Sequence, residues 1–204
     1  KLIDALFEGL TRKNPWTLEP EPGAAASWEF SEDRRVITFH MQPQGRWSNG
    51  EPVTAHDFVW SWRRALDPAM GNLYAYMLYP VLNAEAYATG KIDDPELIGV
   101  RALDDMTLEV TLNEPTPYFL QLMDHYSSFA VPRATVEQFG EATDRFTRWT
   151  RAGNIVSNGP FRLQKWRRTR TTGMRTPCAS TASSSTRQRM LSVRSACSGS
   201  TSCT

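Results

Sequence analysis

The composition of the chain changes abruptly after Trp166, and this break limits which residues can build a folded core. All 22 acidic and all 22 aromatic residues lie before position 167. Residues 1–166 carry 22 acidic and 16 basic side chains, a net charge of −6, whereas residues 167–204 carry seven arginines and no acid. Segments without large apolar side chains cannot offset the entropy lost on ordering. We therefore expect residues 1–166 to hold the fold and residues 167–204 to be a disordered tail.

Two interpretations of the Arg/Ser/Thr-rich tail remain open. An arginine-rich arm can bind nucleic acid or anionic lipid, although no aromatic side chain stands between these arginines to stack on bases. Cys178, Cys197 and Cys203 have neither CxxC spacing nor a neighbouring histidine, so zinc binding is not indicated. The second interpretation is that residues 167–204 are a frameshift product, because a GC-rich coding region read out of frame yields this composition. We favour the frameshift and exclude the tail from fold reasoning.

Residues 1–166 alternate short helical and strand-like segments, which predicts a mixed α/β or α+β fold. No apolar run approaches the roughly 18 residues of a membrane-spanning helix, and no signal peptide is recognised. The patterns predict four helices, over 2–10, from Thr54 to about 66, over 117–123 and over 135–140. They predict five strands, over 28–30, 36–41, 98–103, 106–112 and 161–166. A loop is predicted over 14–23, and turns are predicted at 47–50 and 157–160. Thr54 and Asp57 have the spacing of a capping box.

No pattern in residues 1–166 indicates an enzyme. His40, His56 and His125 have no second histidine at helical spacing, and neither a nucleophile elbow nor a phosphate-binding loop occurs. The pair Asp104-Asp105 is better explained by a hairpin turn than by two cooperating carboxylates, because adjacent side chains in a strand point apart. We predict no catalytic residue, no metal site and no cofactor.

Seven tryptophans and a tyrosine cluster stand out from the rest of the chain. Most of the tryptophans are predicted to pack in the core, because an indole buries a large apolar area and leaves one donor to satisfy. Tyr74, Tyr76 and Tyr79 are spaced by two and three residues, so they cannot all face one core. At least one of them is expected to reach a cleft or the solvent.

The run SWEFSEDRRVITFHMQPQGRWSNGEPVTAHDFVWSWRRALDP, at 27–68, resembles the signature region of a known family. It is similar to that of the extracellular solute-binding proteins of the peptide/nickel class, in particular the oligopeptide-binding components of ABC importers. LFEGL at 6–10, VRALDDMTLEVTLNEPTPY at 100–118 and NIVSNGPF at 154–161 extend the resemblance in order.

The resemblance implies a fragment of a two-lobed fold of the type II periplasmic-binding-protein kind, which closes around an oligopeptide and delivers it to permease subunits in the membrane. Such receptors bind peptides through backbone hydrogen bonds, in the manner of an added strand, with side chains in roomy hydrated pockets. The implied organisation is a start fragment of lobe I at 1–9, a small α+β domain at 10–133 and a return segment at 134–166. We expect a periplasmic or extracytoplasmic, monomeric protein that binds no nucleic acid.

Relatives in this family are more than twice as long, so the resemblance also implies that the chain is a truncated N-terminal part. The second lobe and most pocket residues of the family have no counterpart here, and the chain is not expected to bind peptide alone. Only Tyr74 matches a family ligand contact, with helix packing as the alternative role for its ring. The branch of the family stays open between oligopeptide, dipeptide, nickel and haem. A nucleic-acid-binding protein that uses the arginine-rich tail is the alternative function.

Overall fold

The computed structural model describes residues 2–163 and the backbone of residues 193–195. Short helices and short strands make up this part of the chain. In chain order they are α1 (Leu2–Leu6), β1 (Thr11–Lys13), β2 (Pro20–Pro22), β3 (Ala25–Phe30), β4 (Val36–Met41), α2 (Ala55–Leu66), α3 (Ala84–Ala88), β5 (Val100–Asp104), β6 (Thr107–Thr111), α4 (Phe119–Leu122), α5 (Arg133–Glu137), β7 (Phe161–Leu163) and β8 (Val193–Ser195).

An antiparallel four-stranded sheet in the order β3-β4-β6-β5 forms the centre of the fold. The predicted alternation on β4 is confirmed, because Ile37, Phe39 and Met41 are buried while the residues between them are half-buried. Phe39 lies opposite Leu108 of β6, so both face the core. The hairpin predicted around Asp104-Asp105 is also confirmed, since β5 and β6 pair directly on either side of it.

Helix α2 covers the inner face of this sheet against β5 and β6. The predicted capping box starts it: the Thr54 backbone N–H donates to the Asp57 carboxylate at 2.8 Å. Phe58, Trp62 and Leu66 follow at helical spacing and are almost completely buried. These three residues form the apolar face with which α2 packs in the core.

The N-terminal helix is shorter than the sequence pattern predicts, since α1 ends at Leu6 instead of continuing to residue 10. A side chain at Gly9 would have its Cβ only 2.1 Å from the Met123 carbonyl oxygen, so the backbone passes here through a narrow gap as an extended segment. The Leu10 carbonyl then accepts hydrogen bonds from Gly23 and Ala25. Packing against the body of the protein therefore overrides the helical pattern.

The predicted loop at 14–23 was wrong in its second half. Residues Pro20–Pro22 form β2, which pairs antiparallel with β1. The two prolines make this segment look like a loop in the sequence, because proline cannot donate a backbone hydrogen bond and is typical of loops and sheet edges.

Residues 6–8 and 158–159, which are far apart in the sequence, lie side by side at the end of α1. The Asn158 side chain bonds both backbone groups of Glu8, accepting from its N–H and donating to its carbonyl at 3.0 Å each. The Gly159 N–H donates to the Leu6 carbonyl at 2.8 Å, and a Cβ at this glycine would collide with the Leu6 backbone. Of the turn predicted at 157–160, the structure shows a bend at 159–160, and this segment joins residues 6–8 by hydrogen bonds.

The later predicted elements differ from the structure at their ends. The helix predicted over 117–123 occupies Phe119–Leu122, and that predicted over 135–140 occupies Arg133–Glu137. The strand predicted over 161–166 is described only as far as Leu163. Its described part, β7, pairs antiparallel with β8. Apart from residues 193–195, the tail and its predicted disorder lie outside the described residues. Within the part that the structure describes, no helix has the length and hydrophobicity needed to cross a membrane.

Candidate functional site

Tyr74, the one site residue that the sequence proposes, lies at the start of a 3-10 turn, Ala75–Leu78, just beyond α2. Its backbone N–H donates to the Asn72 side chain at 3.0 Å. The same side chain donates to the Ala65 carbonyl in the last turn of α2 at 3.1 Å. Asn72 therefore fixes Tyr74 relative to the central helix, although 40% of Tyr74 stays exposed. The predicted exposure within the tyrosine cluster is confirmed by Tyr74 and by Tyr76, of which 53% is exposed.

Four rings gather around Tyr74, and we call Tyr74, Tyr76, His125 and Tyr126 the aromatic cluster. The Tyr74 ring centroid lies 5.4 Å from those of His125 and Tyr126, and 6.2 Å from that of Tyr76. His125 and Tyr126 stack at 4.1 Å. The three separations from the Tyr74 ring are typical of favourable aromatic pairs. The side chain of Tyr74 raises the pKa of the Tyr126 phenol by hydrogen bonding to its neutral form.

Buried hydrogen bonds from α2 position the other half of the aromatic cluster. The Trp62 indole N–H donates to the Ser128 carbonyl at 2.7 Å, and the Ser128 hydroxyl donates to the His125 carbonyl at 2.7 Å. Ser61 accepts a hydrogen bond from the Val131 N–H at 2.9 Å. Both segments that carry the rings are thus held by one helix, and the cluster is a prearranged surface.

The aromatic cluster offers ring faces, two phenol hydroxyls and an imidazole to a ligand. These groups can stack on apolar or cationic groups and can exchange hydrogen bonds with a peptide backbone. His125 was predicted to have a structural role, and the structure places it against Tyr74. The sequence did not indicate that Tyr74 and Tyr126 meet, because the two lie far apart in the chain and neither belongs to a spaced motif. Within residues 2–163, no group of three or more histidine, cysteine or acidic residues could hold a metal ion.

A polar cleft of about 550 Å³ lies elsewhere, beside the crossing of the two distant segments. Glu8, Arg12, Gln42, Arg46 and Asn158 are among its lining residues. Burial raises the pKa of the Glu8 carboxyl, and the positive charge of Arg12 opposes this shift. Asn158 bonds both backbone groups of Glu8, which also lines the cleft. Mixed charges line this cleft, and its residues do not form a catalytic arrangement.

Comparisons with known proteins agree with the resemblance seen in the sequence. The family model described as bacterial extracellular solute-binding proteins, family 5 Middle, matches residues 19–175. The chain is 45% identical over 163 residues to the periplasmic oligopeptide-binding protein OppA of Escherichia coli K12, covering 79% of this chain and 28% of that protein. It is 43% identical over 169 residues to the oligopeptide-binding protein OppA of Bacillus subtilis 168, covering 81% of this chain and 29% of that protein.

A similar solved structure is that of Haemophilus influenzae OppA in complex with the peptide RPPGFSPFR. It superposes with a TM-score of 0.73 at 39% identity, covering 81% of this chain and 31% of the other. The match confirms the predicted mixed α/β fold and shows that it is part of the fold of periplasmic binding proteins. The chain spans less than a third of the length of the relatives that it matches.

Proposed function

Because the chain belongs to the bacterial extracellular solute-binding proteins of family 5, we propose that it forms part of the oligopeptide-binding component of an ABC importer. The observation that carries this proposal is the 45% identity, over 163 residues, to a protein named for oligopeptide binding. These relatives give no support to the alternative of a nucleic-acid-binding protein. Because the family is one of solute-binding proteins, the proposed function is binding and delivery without catalysis.

We further propose that Tyr74 contacts the peptide and that the aromatic cluster is part of one wall of its site. Two features support this role. The rings are held rigidly from α2, yet Tyr74 and Tyr76 keep about half of their surface exposed, which is unusual for large aromatic side chains that serve only packing. Tyr74 also meets Tyr126 edge-on with ring centroids 5.4 Å apart, so a peptide at this surface could contact both rings.

The wider organisation follows as part of the same proposal. The protein works outside the cytoplasmic membrane as a monomer and passes its peptide to permease subunits. Residues 1–9 and 134–166 belong to lobe I around the small domain at 10–133, and a second lobe completes the cleft. The crossing of Glu8 with Asn158 supports this division, because it joins the two segments that flank the small domain. Closure would favour the state in which both lobes contact the ligand.

A chimera tests the proposal directly. Residues 2–163 would replace the matching segment of E. coli OppA, and peptide binding would be measured by calorimetry with a tripeptide. We expect the chimera to bind. Tyr74→Ala should weaken binding by about tenfold, since an aromatic contact contributes about 0.5–1.5 kcal/mol beyond area burial. Tyr74→Phe should lose less, because it keeps the ring and removes only the hydroxyl.

The matched control is Trp16→Ala, which removes an aromatic side chain that is 90% exposed on the β1–β2 connection. This variant should bind peptide as tightly as the unaltered chimera. A folded chimera that binds no peptide would overturn the proposed function. Equal binding by the Tyr74→Ala and unaltered chimeras would remove Tyr74 from the site and leave the rest of the proposal in place.

A further inference from the structure

The connection between α5 and β7 exposes a phenylalanine among unpaired arginines. We call residues 145–151, with the sequence RFTRWTR, the basic loop. Phe146 is 98% exposed, and the arginines at 145, 148 and 151 are exposed as well. Residues 145–163 contain four arginines and no acidic residue. The loop therefore combines local positive charge with an apolar side chain in the solvent, although the body as a whole is acidic.

The arginines of the basic loop are not neutralised within the fold. Other arginines of the described part of the chain pair with carboxylates, as Arg63 does with Glu96 and Arg101 with Glu109. No ion pair among residues 2–163 involves Arg145, Arg148 or Arg151. The guanidinium of Arg145 instead lies over the Phe146 ring, 5.8 Å from its centroid. Three guanidiniums remain available to an anionic partner.

Hydrogen bonds order the chain before and after the basic loop, and one of them comes from α2. Before it, the Arg64 side chain donates to the Ala142 carbonyl, and the Glu141 N–H donates to the Asp144 carboxylate at 2.9 Å. After it, the Asn154 side chain donates to the Arg148 carbonyl at 2.9 Å. Phe146 itself has a left-handed backbone with φ of 64°, which is rare for a bulky residue and gains nothing here from burial. A strained and exposed ring on an anchored loop points to a partner that covers it.

We infer that the basic loop is a docking surface for an anionic phospholipid membrane. Its arginines would bind lipid phosphates, and Phe146 would enter the boundary between headgroups and acyl chains. Anionic lipid fits better than nucleic acid because Arg145 already covers one face of the ring, which hinders stacking between bases. Neither the cleft beside Glu8 nor the one beside Trp47 includes a residue of the loop. The inference rests on the proposed function only in placing the protein beside a membrane.

Hydrogen exchange of the full chain, with and without vesicles, tests this inference and separates the loop from the arginines of 167–204. We expect the backbone of 145–151 to gain protection with phosphatidylcholine–phosphatidylglycerol vesicles and none with pure phosphatidylcholine vesicles. High salt should abolish the protection. Arg148→Gln/Arg151→Gln should raise the lipid concentration needed for half-protection by about thirtyfold, at about 1 kcal/mol per arginine, and Phe146→Ala should raise it by about threefold.

The matched control is Arg34→Gln/Arg35→Gln, which removes the same charge from exposed arginines of the β3–β4 turn and should leave half-protection unchanged. Far-UV circular dichroism confirms that each variant is folded, and Arg148→Gln alone serves if the double variant is not. The inference is overturned if the loop gains no protection, if the control has the same effect as the loop variant, or if duplex DNA or polyglutamate protects the loop while vesicles do not. Vesicle protection of the loop, together with a folded chimera that binds no peptide, would leave this inference standing and count against the proposed function.

Discussion

Replacing Trp62 with phenylalanine should lower the free energy of unfolding by about 2–4 kcal/mol. Trp62 is 1% exposed, its indole N–H donates to the Ser128 carbonyl at 2.7 Å, and its ring meets Phe119 edge-on at 6.5 Å. A phenyl ring keeps most of the apolar contact but cannot donate. The buried Ser128 carbonyl then loses this partner, at a cost of about 1–3 kcal/mol, and the smaller ring leaves a cavity that adds about 1 kcal/mol.

Urea unfolding followed by far-UV circular dichroism measures this change, since tryptophan fluorescence is itself altered by the substitution. Trp62→Ala should cost more, about 3–5 kcal/mol, because the cavity is larger. Trp16→Phe is the control: the Trp16 side chain is 90% exposed, so its replacement should change stability by less than about 0.5 kcal/mol.

The same substitution has a local consequence at the candidate site. Ser128 ends the turn that carries His125 and Tyr126, so Trp62→Phe should speed hydrogen exchange at 126–128 more than in the distant β3–β4 hairpin. If Trp62→Phe unfolds at the same urea concentration as Trp16→Phe, the indole hydrogen bond is not a determinant of stability. The account of how α2 positions the aromatic cluster would then be wrong.

Three further substitutions test other parts of the fold. Asp57→Ala removes the acceptor of the Thr54 N–H and should cost about 1–2 kcal/mol in urea unfolding, whereas an unchanged midpoint would mean that the capping box is dispensable. Gly9→Ala forces a Cβ against the Met123 carbonyl and should cost about 3 kcal/mol, and a thermal midpoint equal to that of the parent protein would show that this gap is not tight. Burial raises the pKa of Glu8 above its ordinary value of 4.5, so the native state binds a proton more tightly than the unfolded state, and stability should fall as pH rises from about 4.5 through the native pKa. Glu8→Gln should flatten that part of the pH profile, and a profile identical to that of the parent protein would contradict the shift.

Much of the secondary structure followed from local patterns in the sequence. The alternation of apolar residues on β4, the capping box before α2 and the hairpin around Asp104-Asp105 were all predicted and are confirmed. Each of these depends on interactions between residues a few positions apart, or on one face of an element meeting the core. Such features can be predicted from the spacing of nearby residues in the sequence.

The errors in the prediction have a common cause. The helix predicted over 2–10 stops at Leu6 because Gly9 must pass the Met123 carbonyl, and β2 exists because Pro20–Pro22 lie beside β1. Neither constraint is visible locally, since the contacting residues are either distant in the chain or typical of loops. Tertiary contacts override weak local preferences in both cases.

The sequence by itself determined the family, the mixed α/β class and Tyr74 as a candidate contact residue. Only the tertiary structure decided what surrounds Tyr74, because His125 and Tyr126 reach it through buried hydrogen bonds from α2 that join segments more than 60 residues apart. It also decided that Asn158 holds Glu8 across 150 positions and that Phe146 stands in the solvent. Composition and periodicity record what each short segment prefers. Which distant segments meet is fixed by the packing of the whole core, where many weak contacts are satisfied together.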